Sequence, residues 1–401
     1  MPVNFPIGID DFRKLREQRL EYVDKSHLIC ALLDRPGVEV TLLPRPRRFG
    51  KTLNLSLLRY YFEKRDEDLS HLFESLSIWQ AGDVYRAHFQ RYPVIHISFK
   101  ETRFETFERA WGALKKKIEV LFDEHGYLLG SDRLSERERR DYGAILEGTA
   151  EQALYDRALL DLSAYLHAHH GEKVVILIDE YDEPIHAGHV HGYAPRILEF
   201  LRAFLGGGLK SNVHLFKAVV TGILRVARES LFSGLNNLGV YTLLATPFNT
   251  CFGFTESEVT ALLERTGRAD KQEEVRAWYN GYLFGGETIY NPWSVLSFLD
   301  AGDESPKPYW LSTSSNDLVH ELLAHNALKL QPMFEALLEG GGVERVLDEN
   351  VVLSEVRENE DALWSLLVFT GYLKAEKRAR GSMEQAAHQL SIPNREVRLV
   401  Y

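Results

Sequence analysis

The sequence contains little cysteine and no long apolar run. Cys30 and Cys251 are the only cysteines among 401 residues, and neither stands in a C-x-x-C or Cys/His spacing. This scarcity argues against a disulfide-stapled secreted domain and a cysteine-ligated zinc module. No stretch approaches about 18 consecutive apolar residues, so no transmembrane helix is expected.

A signal peptide and an excess of positive charge are also missing. The first residues, MPVNFPIGIDDF, lack the basic start and the apolar run of a signal peptide. Together with the scarcity of cysteine, this predicts a cytoplasmic protein with no membrane partner. Acidic residues outnumber Lys and Arg by 58 to 47, for a formal net charge of -11. That balance disfavours indiscriminate coating of nucleic acid, although it is compatible with a local basic groove.

The chain is long enough for two or three domains, and its first part alternates apolar runs with helical patterns. Five short runs rich in β-branched residues cover residues 38–43, 93–99, 174–179, 214–222 and 240–246. Such near-continuous apolar runs are typical of strands buried on both faces of a parallel sheet. We therefore predict an α/β domain over residues 1–250, with a parallel sheet flanked by helices.

The pattern changes after Phe252. Thr255 followed by Glu258 is a capping box that predicts the start of a helix. Helical patterns around an aromatic, glycine-containing middle then predict a helical lid over residues 251–325. The closing segment, QLSIPNREVRLVY, alternates like a strand, a turn and a strand. A helix-rich unit closed by such a hairpin predicts a winged-helix-like domain over residues 326–401.

The segment VTLLPRPRRFGKT raises the main functional question. It ends like a phosphate-binding loop, G-x-x-x-x-G-K-[ST], but Arg45 stands at the first glycine position. A predicted strand precedes it and an amphipathic helix follows it, so backbone N–H groups at the helix start can point at a phosphate. In such a loop Gly50 permits close approach of the backbone. Lys51 reaches the β- and γ-phosphates, and the Thr52 hydroxyl holds Mg²⁺.

A second motif, KVVILIDEYDEP, strengthens this interpretation. Its apolar residues predict a strand that delivers Asp179 and Glu180 to the C-terminal edge of the sheet, where ligands of open α/β folds bind. Asp179 is then expected to hold Mg²⁺, and Glu180 to polarise the attacking water as a general base. The alternative is a strand that ends at acidic residues by chance, which is common. A strand-GKT-helix pattern in the same chain as such a strand is much less often an accident.

The run HLFKAVVTG ends in Thr221 and Gly222, where additional-strand nucleotidases place a polar residue that senses the γ-phosphate. Arg225 and Arg228 follow, and either can stabilise phosphoryl charge, in cis or on a neighbouring subunit. Ordinary surface arginines are an equally good interpretation of these two residues. The candidate catalytic residues are therefore Glu180, Lys51, Thr221 and Arg225.

Arginine and proline crowd the loop, and the two prolines stiffen its backbone and remove N–H donors. The three arginines add fixed charge that substitutes for the backbone approach that a first glycine would allow, or they meet a nucleic-acid phosphate. We expect an atypical nucleotide site. Its candidate contact residues are Arg45, Arg47, Arg48, Phe49, Gly50, Lys51, Thr52 and Leu53. The candidate metal ligands are Thr52 and Asp179.

Several segments together resemble the predicted AAA-ATPase-like family of bacteria and archaea. They are VDKSHLICALL, RPRRFGKTLNLSLLRYYFE, VVILIDEYDEP, VVTGILRVARESLFSGLNNL, FGFTESEV, WYNGYLFGG and YNPWSVLSFL. The resemblance runs from about Ile7 to the end of the chain, and RPRRFGKT replaces the glycine-led loop in that family too. It implies a RecA-like P-loop fold in which the Thr221 strand lies between the loop strand and the Asp179 strand.

Members of that family often carry a PD-(D/E)xK nuclease-like domain after a segment resembling LSIPNREVRLVY. This chain stops at Tyr401, where that domain would begin. Residues 330–401 contain no convincing metal-carboxylate set with an E-x-K motif. The nuclease was therefore either removed from the chain or never present in it.

The motifs and the resemblance predict an Mg²⁺-dependent ATPase whose ATP cycle drives a conformational output linked to nucleic-acid processing or defence. One alternative is a nucleotide-sensing switch or pseudo-ATPase, favoured if Arg45 fills the phosphate seat or Glu180 is buried away from it. Another is a nucleic-acid-binding protein, which needs a continuous basic groove from Arg47 and Arg48 to the C-terminal hairpin. The expected partners are ATP, Mg²⁺, a nucleic acid or a nuclease, and further copies of the chain.

Overall fold

The fold was determined from a computed structural model that describes residues 3–224, 231, 235–302, 305–313, 330–351, 355–356, 358–377 and 387–401. The strands in these ranges are β1 Val40–Pro44, β2 Val94–Ser98, β3 Val174–Asp179, β4 Leu215–Gly222, β5 Leu238–Val240, β6 Phe254–Thr255, β7 Tyr282–Phe284, β8 Glu287–Tyr290, β9 Val343–Val346, β10 Lys374–Lys377 and β11 Ala387–Ser391.

The helices of the first part of the chain are α1 Phe12–Glu17, α2 His27–Leu33, α3 Lys51–Phe62, α4 Ser77–Gln80, α5 Asp83–Arg86, α6 Phe107–Glu124, α7 Glu136–Leu146, α8 Gln152–His170, α9 Glu183–His191 and α10 Ala194–Leu209. Those of the second part are α11 Glu256–Arg265, α12 Gln272–Tyr279, α13 Pro292–Ala301, α14 Glu360–Phe369 and α15 Arg395–Arg398. Residues 330–338 are also helical.

A five-stranded parallel sheet forms the centre of the first part, with the strand order β2-β3-β4-β1-β5. Four of the five predicted strands are confirmed, with ends that agree within two residues. β4, which carries Thr221, lies between β1 and β3, as the family resemblance implies. The parallel order places the C-terminal ends of β1, β4 and β3 side by side at one edge of the sheet.

Helices flank this sheet because their apolar residues recur at helical spacing. In α6 the residues Ala110, Leu114, Ile118 and Leu121 are buried, and the intervals of three or four place them on one face. The central part of the sheet is buried along its length, since every residue of β1 and of β3 is buried. The predicted α/β class with a parallel sheet flanked by helices is confirmed.

The prediction for the fifth strand is wrong over most of its length. β5 ends at Val240; the Tyr241 N–H still donates to the Leu42 carbonyl of β1 at 3.0 Å, and residues 242–246 leave the sheet. The carbonyl of Tyr241 accepts Nη1 of Arg45 at 2.7 Å, and the Leu243 carbonyl accepts a backbone N–H from the turn between β7 and β8 at 2.7 Å. Leu243 is buried against another part of the chain, and residues 242–246 do not continue the ladder.

Residues 254–301 form a helical unit with a small antiparallel sheet of order β6-β8-β7 and an apolar cluster of its own. The predicted capping box is confirmed at its start. The Thr255 hydroxyl accepts the Glu258 N–H at 3.4 Å, and the Thr255 N–H donates to the Glu258 carboxylate at 2.7 Å. α11 therefore begins where the sequence indicates.

The last part combines α14 with an antiparallel sheet of order β10-β11-β9. The predicted closing hairpin is wrong, because α15 follows β11 where a second strand was expected. Asn394 explains this: its side-chain oxygen accepts the Val397 N–H at 2.9 Å and so caps a helix. The division of the chain at residues 250 and 325 stays a prediction, and the second boundary lies outside the described residues.

Two further findings concern the setting of the protein. In the part of the chain that the structure describes, no helix is both long and apolar enough to cross a membrane. Cys30 and Cys251 are both free thiols, and Cys251 is buried.

Candidate functional site

Residues 45–50 join the end of β1 to the start of α3. The Arg45 N–H donates to the carbonyl of Gly222 at the end of β4 (3.0 Å), which ties the loop to the edge of the sheet. Gly50 ends the loop in the left-handed region with a φ of 84°, a conformation that residues with a Cβ rarely adopt. α3 therefore begins at Lys51 with its unpaired N–H groups and the positive end of its dipole at the loop.

Asp179 is the residue at which three elements of the sheet edge meet. Its carboxylate is fully buried and accepts the hydroxyl of Thr52 at 2.7 Å and the hydroxyl of Thr221 at 2.6 Å. Thr52 stands in the first turn of α3, and Thr221 near the end of β4. The structure thus brings these three predicted residues into direct contact, although 127 positions separate Thr52 from Asp179.

Lys51 and Glu180 lie beside this cluster. The Lys51 side chain is buried, and its Nζ donates to the carbonyls of Arg45 and Pro46 at 3.3 Å each. The same Nζ lies 3.4 Å from a carboxylate oxygen of Glu180. The ammonium group therefore lies within the loop, where it connects the loop carbonyls to the carboxylate that follows β3.

Glu180 adopts a positive φ of 50°, which is uncommon for a residue other than glycine. Burial raises the pKa of its carboxyl; the Lys51 ammonium lowers it, and the nearby Asp182 and Asp179 raise it further. A carboxyl whose pKa lies above its ordinary value is a better proton acceptor near neutral pH. Uncommon backbone conformations and raised pKa values of this kind concentrate at functional sites.

The guanidinium of Arg45 does not reach this site, which corrects the expectation that it places a charge beside a phosphate. It is fully buried and donates to three backbone carbonyls, those of Pro44 at 2.7 Å, Tyr241 at 2.7 Å and Phe248 at 3.3 Å. The rings of Phe252 and Phe284 lie 5.0 and 5.6 Å from it. Burial lowers the Arg45 pKa to about 10. Arg45 thus does not fill the phosphate seat and binds the loop to the segment after β5.

Pro46 contacts the last part of the chain, and Arg47 contacts Trp310, which follows the helical unit. Gly371 lies so close to Pro46 that a Cβ at position 371 would be 3.2 Å from the proline Cβ. The carbonyl of Arg47 accepts the indole N–H of Trp310 at 3.3 Å. Burial lowers the pKa of the Arg47 guanidinium, and the Glu180 carboxylate acts in the opposite direction. The guanidinium of Arg47 therefore interacts with the Glu180 carboxylate, whereas the Arg47 carbonyl ties the loop to Trp310.

Arg48 and Phe49 contact the helical unit instead. The exposed guanidinium of Arg48 lies 4.3 Å from the ring centre of Trp293. Phe49 is buried, with ring centres of Tyr282 and Phe284 at 4.9 and 5.2 Å. The side chains of the loop are thus largely engaged in contacts with other parts of the protein.

A cleft beside the loop was not located by the sequence analysis. It contains about 490 Å³ of non-atom space, part of it open to solvent, and its wall is largely apolar. Its lining includes Gly50, Leu53, Tyr22, Val23, Lys25, Phe254, Pro292 and Leu296. Three of these lie in the segment YVDKSHLI before β1, which is the signal that a sequence search could have used.

Lys25 connects the two sides of this cleft. It is buried, and its Nζ donates to both carboxylate oxygens of Glu258 at 2.7 Å and to the Thr250 carbonyl at 2.9 Å. Glu258 is the same residue that caps α11. Burial lowers the Lys25 pKa although Glu258 raises it. The N-terminal segment is therefore joined by a buried ion pair to the helical unit.

Tyr181 and Asp182 form a second set of contacts that sequence reasoning missed. The Asp182 carboxylate is buried and accepts the backbone N–H groups of Ile223 and Leu224, directly after β4. The Tyr181 hydroxyl donates to the Leu224 carbonyl at 2.6 Å. Arg225, a candidate catalytic residue, and Arg228 lie outside the described residues, so their roles stay predictions.

The residues present fit a magnesium ion and a triphosphate. The Thr52 hydroxyl and the Asp179 carboxylate are hard oxygen donors of the kind that Mg²⁺ prefers. A buried lysine and the N-terminus of a twelve-residue helix stand beside them and favour negative charge. The chemistry of this donor set is that of phosphoryl transfer.

Comparisons with known proteins agree with this geometry. The family model described as "Predicted AAA-ATPase" matches residues 6–232. A curated relative from Azotobacter chroococcum mcd 1, described as "Uncharacterized protein in vnfD 5'region", is 30% identical over 395 residues. That match covers 98% of this chain and 68% of the relative. On the strength of the family match and of the loop and acidic edge that the sheet brings together, this chain belongs to the predicted AAA-ATPase family.

Proposed function

We propose that the chain binds ATP and hydrolyses it with the aid of Mg²⁺. The observation that carries this proposal is the contact of Asp179 with the hydroxyls of Thr52 and Thr221, at 2.7 and 2.6 Å. It joins the phosphate loop, the acidic strand and the strand between them. Lys51 and Glu180 lie beside this contact with the side-chain types that phosphoryl transfer requires.

Each residue has a distinct role in this proposal. The Thr52 hydroxyl donates a hydrogen bond to Asp179, so its lone pairs remain available, and Thr52 and Asp179 would hold the cation. Bound Mg²⁺ would supply charge neutralisation at the phosphates. Thr221 turns its hydroxyl proton from Asp179 to a terminal phosphate oxygen and so detects whether that phosphate is present.

Lys51 and Glu180 exchange partners when the nucleotide enters. The phosphates replace the carbonyls of Arg45 and Pro46 as acceptors for Lys51, because charged acceptors form stronger hydrogen bonds. Glu180 then loses its lysine partner, 3.4 Å away. Without that cation its pKa rises further, and the carboxylate takes a proton from the attacking water.

The base of the nucleotide is assigned to the cleft beside Gly50 and Leu53. Its wall is largely apolar, as is common in sites that bind aromatic heterocycles. The cleft lies between the N-terminal segment and residues of β6 and α13. Residues 251–325 would therefore act as a lid whose position responds to the nucleotide, with the Lys25–Glu258 ion pair as the connection.

The output of the cycle is assigned to the last part of the chain. Gly371 contacts Pro46, and Trp310 donates its indole N–H to the Arg47 carbonyl and its backbone N–H to Glu396. A change in the loop therefore reaches residues 326–401, for which a winged-helix-like domain is proposed. The relative extends beyond the aligned region, since the match covers 68% of it, and a nuclease or nucleic acid as the receiver of this movement remains a proposal.

The test compares ATP binding and Mg²⁺-dependent phosphate release in the wild type, Lys51→Ala and Glu180→Gln. The exposed Lys116→Ala and Glu273→Gln variants are matched controls for the two substitutions. Lys51→Ala is expected to lose binding by about a hundredfold or more, because the phosphates lose their buried cation. Glu180→Gln is expected to keep binding and to lose about a hundredfold or more in turnover.

The outcomes separate the candidate functions. Binding without turnover in the wild type would replace hydrolysis with a nucleotide-sensing switch. Absence of nucleotide binding in the wild type would overturn the proposal. Binding of single-stranded or duplex DNA that competes with ATP, and that is lost in Arg47→Ala, would favour the nucleic-acid alternative. That alternative needs a basic groove through a closing hairpin, where the structure has α15.

A further inference from the structure

We propose that Tyr181 and Asp182 are positioning residues that fix the chain after β4, and thereby Thr221, for phosphoryl transfer. In this proposal the motif DEYD has two halves. Asp179 and Glu180 face the reaction, whereas the two following residues hold the neighbouring strand. The inference rests on the proposed function for its kinetic consequence, but its structural part can be tested without turnover.

The hydrogen bonds of Asp182 are the first observation. One carboxylate oxygen accepts the Ile223 N–H at 2.8 Å and the Leu224 N–H at 2.9 Å. Its side chain is 1% exposed, and His186 Nε2 lies 3.3 Å from the same oxygen. A fully buried carboxylate that accepts consecutive backbone N–H groups holds them more strongly than a neutral acceptor would.

Tyr181 provides a second, independent hold on the same segment. Its backbone N–H donates to the Thr221 carbonyl at 3.1 Å, and its hydroxyl donates to the Leu224 carbonyl at 2.6 Å. The ring is fully buried. Tyr181 therefore bonds to the carbonyls of Thr221 and Leu224, at the two ends of residues 221–224. Asp182 accepts the N–H groups of Ile223 and Leu224.

Gly222 shows how close this contact is. A Cβ at position 222 would lie 2.5 Å from Oδ1 of Asp182, the carboxylate oxygen that does not accept the two N–H groups. It would also lie 2.8 Å from a ring carbon of Tyr181. Real Cβ atoms do not approach other atoms so closely, so only glycine fits here without a shift of the acidic motif. The Thr-Gly pair at the end of β4 is thus matched to the Tyr-Asp pair after β3.

The charge of Asp182 also suits a permanent hold. Burial raises the pKa of this carboxyl, but the contact with His186 and the N–H groups of Leu224 and Ile223 lower it by more, so that the net shift is downward. These contacts therefore favour the ionised form of Asp182, which is the form that accepts the two N–H groups. The titratable and charged groups that interact with the Asp182 carboxylate are His186 on α9, Glu180 in the same motif and Arg47 in the loop.

The consequence for the reaction follows from geometry. Thr221 donates to Asp179, and its own carbonyl and the backbone of Ile223 and Leu224 are held by Tyr181 and Asp182. Loss of these bonds lets the end of β4 move, and a displacement of about 1 Å at a reacting group can cost about a hundredfold in rate. Binding of the nucleotide depends on the loop and the cleft and is not expected to change by as much.

The first experiment measures amide hydrogen exchange at single-residue resolution in the wild type, Asp182→Ala, Asp182→Asn and Tyr181→Phe. Asp182→Ala is expected to speed exchange at Ile223 and Leu224 by about tenfold or more, since both amides lose their acceptor. The Asn variant keeps one acceptor oxygen and is expected to retain most of the protection. Unchanged exchange at both amides in Asp182→Ala would overturn the proposal, whether or not the protein hydrolyses ATP.

The second experiment measures turnover and ATP affinity in the same variants. Asp11→Ala is the matched control, because Asp11 accepts the Lys14 N–H at 2.7 Å and the Tyr60 hydroxyl at 2.9 Å outside the site. Asp182→Ala is expected to lower kcat by about tenfold or more with a Kd for ATP within about threefold. Asp11→Ala is expected to lose stability with both constants kept.

The remaining outcomes are assigned as follows. Rescue of kcat in Asp182→Asn together with protection of the two amides supports the positioning role. Equal losses of kcat in Asp182→Ala and Asp11→Ala, at equal losses of melting temperature, would reduce Asp182 to a stabilising residue and overturn the proposal. A wild type without turnover would remove the ATPase function, and the exchange experiment would then decide the positioning role alone.

Discussion

The phosphate loop and the acidic motif after β3 use their charged residues in opposite ways. In the loop Arg45 is buried among backbone carbonyls and Arg48 lies on a tryptophan ring, so that charge serves packing. In the acidic motif Asp179 collects two hydroxyls, and Glu180 meets Lys51. The loop departs from the common motif and the acidic strand follows it. The departures are explained by contacts with the rest of the protein.

This difference has a physical reason. Backbone carbonyls that leave a sheet need donors, and the segment after β5 leaves the sheet beside the loop. The guanidinium of Arg45 carries enough donors to satisfy several of them at once. An extra glycine in the loop could not do this. The arginine at that position is therefore suited to the surrounding fold more than to the ligand.

The largest effect is expected at the acidic motif. Asp179→Asn is expected to lower ATP turnover by about a thousandfold, because the amide cannot bind the cation as a carboxylate does or accept both hydroxyls. The melting temperature is expected to fall by a few degrees, because one buried hydroxyl loses its acceptor. Phosphate release and thermal melting measure the two effects, with the exposed Asp270→Asn as the control. Turnover within about threefold of the wild type would remove Asp179 from the metal site.

Arg45 is expected to show the reverse behaviour. Arg45→Met keeps the volume but leaves three buried carbonyls without their donor, and the free energy of unfolding is expected to fall by about 4 kcal/mol. ATP affinity is expected to fall much less than in Lys51→Ala. Denaturant unfolding and equilibrium binding measure these quantities, with Arg48→Met as the surface control. Unchanged stability together with a loss of ATP affinity would show that Arg45 contacts the phosphates.

Glu396 extends the comparison to a buried carboxyl that contacts the loop through Trp310. It is fully buried and accepts the Trp310 N–H at 2.7 Å and the Ser294 hydroxyl at 2.8 Å, while the Trp310 indole donates to the Arg47 carbonyl. Burial raises the pKa of the Glu396 carboxyl from 4.5 to about 7, although both hydrogen bonds lower it. The folded protein therefore holds this carboxyl protonated at pH values where the unfolded chain does not.

The sign of the pH effect follows. The stability contributed by protonated Glu396 is fully present below about pH 4.5 and is lost as the pH rises through about 7, with a total of up to about 3 kcal/mol. Glu396→Gln lacks this loss, so its stability relative to the wild type should increase between pH 4.5 and pH 8. Unfolding at both pH values measures the difference. A constant difference would show that Glu396 does not titrate in this range.

The smallest effect is expected at the exposed side of the loop. Arg48→Ala removes a cation–π contact at 4.3 Å and is expected to cost about 0.5–1 kcal/mol of stability, with ATP affinity nearly unchanged. Arg109→Ala, which removes a similar contact with Phe104 at 5.0 Å, is the matched control for stability. A large loss of ATP affinity in Arg48→Ala alone would place this guanidinium at the phosphates.

The phosphate loop and the acidic motif could be predicted from sequence because their signals are local. An apolar run that ends in Asp179 and Glu180 indicates a strand, and a strand followed by GKT and a helix indicates a phosphate loop. The cap of α11 was visible in the same way at Thr255 and Glu258. The prediction for the closing segment was wrong, because its alternating pattern indicated a second strand. The signal for the helix was the single capping residue Asn394.

The sequence by itself determined the parallel α/β class, four strands of the sheet and the placement of Asp179 and Thr221 at one edge of it, because strand ends in a parallel sheet fall at one edge. Tertiary structure decided which loop residues face the site. Arg45 and the carbonyl of Phe248 are 203 positions apart, and no local pattern announces such a bond. The hold of Asp182 on the end of β4 belongs to the same class, because it depends on which strand lies beside β3.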